Sequence, residues 1–269
     1  MFGLVPKALW SRICPANEQN LIAQRANVLL IKHPEAGWGL LDTGCGSPDA
    51  FSEKERTLNG LGDRWLLETA LHEKKLTFND IAWVVLTHAH WDHAGGLLLP
   101  DGTPAFPKAA IHLFRTEYDL ATGGNPLLYK SYPARIADGL RRLQPQIRPV
   151  TEPGTEIYPG IHLESAAGHT AGQACVRVDG PELPGHPDPA PPALLFTGDN
   201  CPTQHHLRMV FQTAYDTLPL ETRAWKQRWF PECARKKIPL FFSHDADTFG
   251  AWIEPDPKRE FVTTRTFPS

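Results

Sequence analysis

The stretch THAHWDHAGG, Thr87–Gly96, places three histidines and an aspartate within six positions. It follows directly on IAWVVLT, Ile81–Thr87, a continuous apolar run of the kind that forms a strand buried on both faces. His88 and His90 are two apart, so at the end of an extended strand they point to the same side. Asp92 and His93 come after a turn eased by Gly95 and Gly96. Imidazole suits zinc, iron and similar divalent ions, and a carboxylate widens the choice to harder metals. One tetrahedral zinc could use three of these groups. Four ligands so tightly packed on one loop do not easily reach a single ion, and a pair of metals uses them more naturally. Solvated or core-capping histidines would explain any one of them, but not H-x-H-x-D-H at the end of an apolar strand.

Further ligands should sit where other strands end. His169 lies in AAGHTAGQ among small residues, Asp199 ends LLFTGD, and His244 ends LFFSH. His33, His72, His112, His162 and His186 lack that setting and read as surface or loop histidines; His205 and His206 are intermediate, a few residues past Asp199. Cys201, two residues past Asp199, is the nearest cysteine to the set. All five cysteines are scattered, with no CxxC pair, as expected of free thiols in a reducing compartment, and we expect a cytoplasmic protein.

The rest of the chain reads as alternating strands and helices. Strands are expected at 27–33, 37–44, 81–87, 109–114, 160–168, 173–178, 193–198 and 238–245. Helices are expected at 63–76, capped by Asp63, and at 134–143 and 220–236. PELPGHPDPAPP, Pro181–Pro192, reads as a stiff surface loop. With no break in composition over 269 residues, we expect one α/β domain, 1–269, carrying a mostly helical insert at about 115–146 as a candidate substrate cap or dimer contact. A net charge of −3 gives no footprint for nucleic acid or an anionic membrane, and no apolar run is long enough to span a bilayer.

The ordered set His88-x-His90-x-Asp92-His93, GHT with His169, TGD with Asp199 and SHD with His244, preceded by LLDTG (Leu40–Gly44), resembles the metallo-β-lactamase superfamily. The match runs from about Asn27 to about Asp245. It implies an αβ/βα four-layer sandwich of two mixed β-sheets flanked by helices. It also implies two divalent metal ions. His88, His90 and His169 would hold one, and Asp92, His93 and His244 the other, with Asp199 bridging. Zinc leads, and manganese, iron or cobalt would fit the same donors. Asp42 reads either as an acceptor orienting a ligand histidine or as a turn cap before Thr43-Gly44.

Within the superfamily, LIKHPEAGWGLLDTG, THAHWDHAGG and LFFSHD most resemble the N-acyl-homoserine lactonases, the quorum-quenching branch. Those enzymes open a lactone ring by attack of a metal-bridging hydroxide. Asp92 would then be the catalytic proton relay, and Trp91 and Tyr215 would lie beside the substrate. Two positions depart from that branch: Pro202 stands where a Tyr is usual, and GHTAGQ carries Gln173 where a His is usual. The segments TGDNCPTQHHLRM and AYDTLPLETRAWKQRWFPECARK look closer to the neighbouring methyl-parathion-hydrolase-like branch, which makes organophosphate or aryl-ester hydrolysis an alternative. No GxSxG occurs, which disfavours a serine hydrolase. A reading from another class is a non-catalytic metal-containing sensor or effector. The expected partners are a small lactone or ester and, through the insert, a second copy of the chain.

Overall fold

The protein is described by a computed structural model over residues 1–183 and 190–268. Residues 184–189 of the expected stiff loop, His186 among them, lie outside the described residues. Two compact units divide the chain: Val28–Thr151, and Met1–Asn27 together with Glu152–Ser269.

The Val28–Thr151 unit is built on a five-stranded sheet in the order β1 (Leu29–His33), β2 (Gly37–Leu41), β3 (Ile81–Val85), β4 (Ala110–Phe114) and β5 (Ile147–Val150). β1 and β2 form an antiparallel hairpin, and β2 to β5 run parallel. Parallel strands are covered on both faces, and β3 accordingly buries Ile81, Trp83, Val84 and Val85 completely. Helices Glu53–Asn59, Leu66–Glu73, Trp91–Ala94, Arg115–Thr122 and Ala134–Arg142 accompany the sheet. The last two fall in the segment expected to be mostly helical.

One helix start departs from expectation. Asp63 does not cap the second helix: its side chain is 98% exposed, and the N-cap is Trp65 with no side-chain capping bond. Trp65 is buried and packs on Phe78 with ring centroids 4.6 Å apart. Burial of an indole outweighs an N-cap bond worth about 1 kcal/mol.

The other unit carries a seven-stranded sheet in the order β6 (Thr155–Tyr158), β7 (Ile161–Ser165), β8 (Ala174–Asp179), β9 (Ala193–Phe196), β10 (Leu240–Phe241), β11 (Thr248–Asp256) and β12 (Glu260–Pro268). Only β9 and β10 pair in parallel, and the helix Pro219–Lys236 connects them. That helix begins with Pro at its first turn, where a missing N–H costs nothing, and ends at Lys237 in the left-handed conformation. It buries Trp225, Trp229, Phe230 and Cys233 with Leu195 and Leu240 from the sheet and Phe242 just past β10. A short helix, Lys7–Trp10, also belongs to this unit. Both sheets are mixed and flanked by helices, consistent with the αβ/βα sandwich.

Two of the histidines expected on the surface are buried instead. His33 Nδ1 accepts the backbone N–H groups of Glu35 and Ala36, at 3.1 and 2.9 Å, and so closes the β1–β2 turn. His112 lies inside the parallel sheet on β4, opposite Arg148 of β5. No helix among the described residues is long and apolar enough to cross a membrane.

Candidate metal centre

The ligand-rich loop leaves β3 after Val85 and turns into the short helix Trp91–Ala94. His88, His90 and His93 are brought together, with ring centroids 4.5 Å apart for His88–His90 and 4.0 Å for His88–His93. All three are buried. Asp92 sits in the first turn of that helix, half-buried.

Asp42 organises this cluster. Its Oδ2 lies 2.8 Å from His93 Nδ1, and its carboxylate also accepts the Thr87 backbone N–H at 2.7 Å and the Thr87 hydroxyl at 2.8 Å. A carboxylate only accepts, so His93 Nδ1 carries the proton. The Thr87 hydroxyl has one hydrogen, spent on Asp42. His88 Nδ1, 3.1 Å from that hydroxyl oxygen, therefore donates to it. Asp42 reaches this position with φ +59°, a rare conformation for a residue with a Cβ. Its neighbour Thr43 donates N–H and O–H to the His93 carbonyl, at 2.7 and 2.8 Å. The loops also touch at Gly95, where a Cβ would lie 2.1 Å from the Cys45 carbonyl oxygen. The glycines after the histidines are there for this close approach.

Beneath the loop, Glu117 is completely buried. Its Oε1 accepts the Ala89 N–H at 2.9 Å and the Tyr132 hydroxyl at 2.7 Å, and the Tyr132 ring stands 4.9 Å from that of His90. Trp91 is half-buried and packs edge-on to Phe51, which Arg135 covers at 3.9 Å.

In the other unit, His169, Asp199 and His244 meet. His169 Nε2 is 3.4 Å from Asp199 Oδ2, and His244 Nε2 is 3.2 Å from Asp199 Oδ1, so one imidazole faces each carboxylate oxygen. Behind them the same logic recurs. His169 Nδ1 lies 3.0 Å from Asp216 Oδ1 and 3.1 Å from the Thr213 hydroxyl. His244 Nδ1 donates to the Arg25 carbonyl at 2.6 Å. The Ser243 hydroxyl donates to Asp199 Oδ1 at 2.8 Å. Four histidines thus have Nδ1 held by a hydrogen-bonding partner on the protein, as metal-ligating histidines do. The donor set fits divalent metal ions.

The segment 22–227 matches the family model of the metallo-beta-lactamase superfamily. The chain belongs to that superfamily. Among solved structures, this superfamily member is similar to a probable metal-dependent hydrolase from Staphylococcus aureus, at 27% identity and TM-score 0.84 over 99% of this chain and 92% of that one. It is also similar to AidC, a dizinc quorum-quenching lactonase in complex with a product, at 21% identity and TM-score 0.71 over 91% and 80% of the two chains. A third is the hydrolase AbOPH, at 15% identity and TM-score 0.74 over 98% and 89%. The last two likenesses concern the fold.

The two departures of this superfamily member have structural roles. Gln173 is buried and donates from Nε2 to Asn200 Oδ1 at 3.0 Å; the same oxygen accepts the His169 backbone N–H at 3.2 Å. The Pro202 carbonyl accepts the His244 N–H at 2.8 Å. Cys201 is buried, burial pushes its thiol up to about 12, and its Sγ donates to the Thr203 carbonyl at 3.6 Å. Tyr215 is 65% exposed, on the loop that presents Thr213 and Asp216 to His169. Sequence reasoning did not find Glu117, Asn200, Thr213 or Asp216. The available signal was TAYD, Thr213–Asp216, a hydroxyl and a carboxylate in one tight turn.

Proposed function

We propose that this chain is a metal-dependent hydrolase that opens lactones, with N-acyl-homoserine lactones as the leading substrate class. Two divalent ions would be held by His88, His90, Asp92, His93, His169, Asp199 and His244, with zinc leading. The observation that carries the reading is the common setting of His88, His93, His169 and His244: each ring has Nδ1 held by a hydrogen-bonding partner on the protein, as metal-ligating histidines do.

Bound there, two such ions supply an acidified water and Lewis-acid polarisation of an ester carbonyl at neutral pH. The protein's residues do the rest. Asp42 and Asp216 hold His93 and His169 in orientation. Asp92 would relay the proton of the attacking water to the ring oxygen as the acyl C–O bond breaks. Trp91 and Phe51 offer an aromatic wall to an acyl chain, and the 115–146 segment would cover it.

Lactone substrates are supported by the run of motifs from Leu40 to His244 and by structural neighbours that include an N-acyl homoserine lactone hydrolase with N-hexanoyl-L-homoserine bound at its catalytic metal center, at 20% identity and TM-score 0.62. Pro202 favours keeping a second reading, hydrolysis of aryl esters or organophosphates, because it removes the usual phenol. A panel of lactones of varied acyl chain, run beside a phosphotriester and followed by acid release, separates the two. Opening of lactones at the higher rate supports the lactonase; phosphotriester cleavage with no lactone opened transfers the proposal to the second reading.

A further inference from the structure

Lys226 lies on the helix Pro219–Lys236 and is completely buried. An isolated buried ammonium is costly, and its three hydrogens need acceptors. Its Nζ donates to the backbone carbonyls of His206, at 2.8 Å, of Arg208, at 3.4 Å, and of Phe211. Burial lowers its pKa to about 8, with Cys201, Asp216 and Glu260 opposing that shift and Arg223 adding to it. All three acceptors lie on one stretch of loop, which continues directly into Thr213 and Asp216.

The same helix grips that loop at two more points. Thr222 donates its hydroxyl to Asp216 Oδ2 at 2.8 Å, and Arg223 Nε donates to Gln212 Oε1 at 3.0 Å. Lys226 lies three residues after Arg223 and four after Thr222, so it neighbours both on the helix surface. Asp216 is thereby divided between two tasks: Oδ2 is tied to the helix, and Oδ1 faces His169 Nδ1. The helix can come this close because residue 168 is glycine; a Cβ there would sit 2.4 Å from the Thr222 hydroxyl.

The geometry points to Lys226 as a positioning residue for His169, acting through the loop carbonyls it gathers and through the Thr213–Asp216 turn. This rests on the reading of His169 as a metal ligand. Without the ammonium, three carbonyls lose their common anchor, and Asp216 loses one of the constraints that aim it. The imidazole then samples the wrong tautomer and orientation, and metal affinity falls although no ligand has changed.

The test is a cobalt(II) titration of the full chain, followed by visible absorption and run with wild type, Lys226→Met, Asp216→Asn and the double variant. Thermal unfolding is recorded alongside, and Lys226→Gln replaces Lys226→Met if the latter does not fold. Lys226→Met is expected to weaken cobalt binding about tenfold, at the low end for loss of an outer partner. In the Asp216→Asn background the same substitution should change affinity less than twofold, because both act on His169 by one route. A purely structural lysine would lower the melting temperature and leave cobalt affinity unchanged, or would add its full effect in the double variant; either result overturns the inference alone. A wild-type chain that binds no cobalt overturns the metal reading and this inference with it.

Discussion

Asp42 Oδ2 lies 2.8 Å from His93 Nδ1, with both side chains almost wholly buried. The aspartate comes from the end of β2 and the histidine from the loop after β3, so the parallel pairing of those strands sets the contact. Asp42→Ala removes the acceptor that fixes the His93 tautomer and also frees Thr87. Metal affinity should fall about 10–100-fold, the range for loss of an outer partner. Calorimetric zinc titration of the purified variant measures this. An affinity within twofold of wild type would leave Asp42 as a turn residue only.

Asp216 gives the matching expectation in the other unit. Asp216→Asn keeps the size of the side chain but offers an amide, and a neutral acceptor holds His169 less strongly than a carboxylate. Hydrolysis should drop at least tenfold, mainly in kcat, with KM little changed. Steady-state kinetics on the best substrate decides it. A rise in KM alone would show that Asp216 serves substrate binding.

Glu117→Leu tests the floor of the ligand loop. The Ala89 N–H would lose its acceptor in a buried site, at a cost of about 1–3 kcal/mol. Glu117→Gln keeps a carbonyl oxygen and should cost less. Urea unfolding of the three proteins ranks them, and equal stability of wild type and Glu117→Leu would remove Glu117 from the account.

Much of this site is written in consecutive residues, and part of it is not. His88, His90, Asp92 and His93 were legible because four ligand-type side chains crowd behind an apolar strand. Asp42 was legible through LLDTG. Asp216 and Thr213 were not, because their role depends on a helix face, Thr222 to Lys226, that reaches the loop only in three dimensions. Glu117 was missed because a glutamate is almost never fully buried unless partnered, and its partners, Ala89 and Tyr132, are distant in sequence. β5 escaped because IRPV carries a proline, which an edge strand tolerates. The β11–β12 hairpin lies beyond His244, the last of the proposed ligands, where no motif directs attention.

His112 supplies a pH dependence independent of the ligands. Burial, with Arg148 adding to it, lowers its pKa from 6.5 to about 4. Between those values the unfolded chain binds more protons than the folded one, so stability rises with pH over that window. The contribution is fully present above pH 6.5 and is lost as pH falls toward 4, about 3 kcal/mol in all. His112→Gln should therefore show a shallower loss of unfolding free energy between pH 6.5 and 4.5 than wild type. Parallel slopes in urea melts at both pH values would rule it out.

The central claim, a lactone-opening hydrolase that depends on metal, is tested most directly by acid release from N-hexanoyl-homoserine lactone in a pH-stat. The protein is assayed as zinc-loaded, as stripped by chelator, and as reloaded. The expected result is steady acid release from the loaded protein, loss on stripping and return with about two equivalents of zinc per chain. Acid release that is absent from the loaded protein, or unchanged by stripping, would refute the claim.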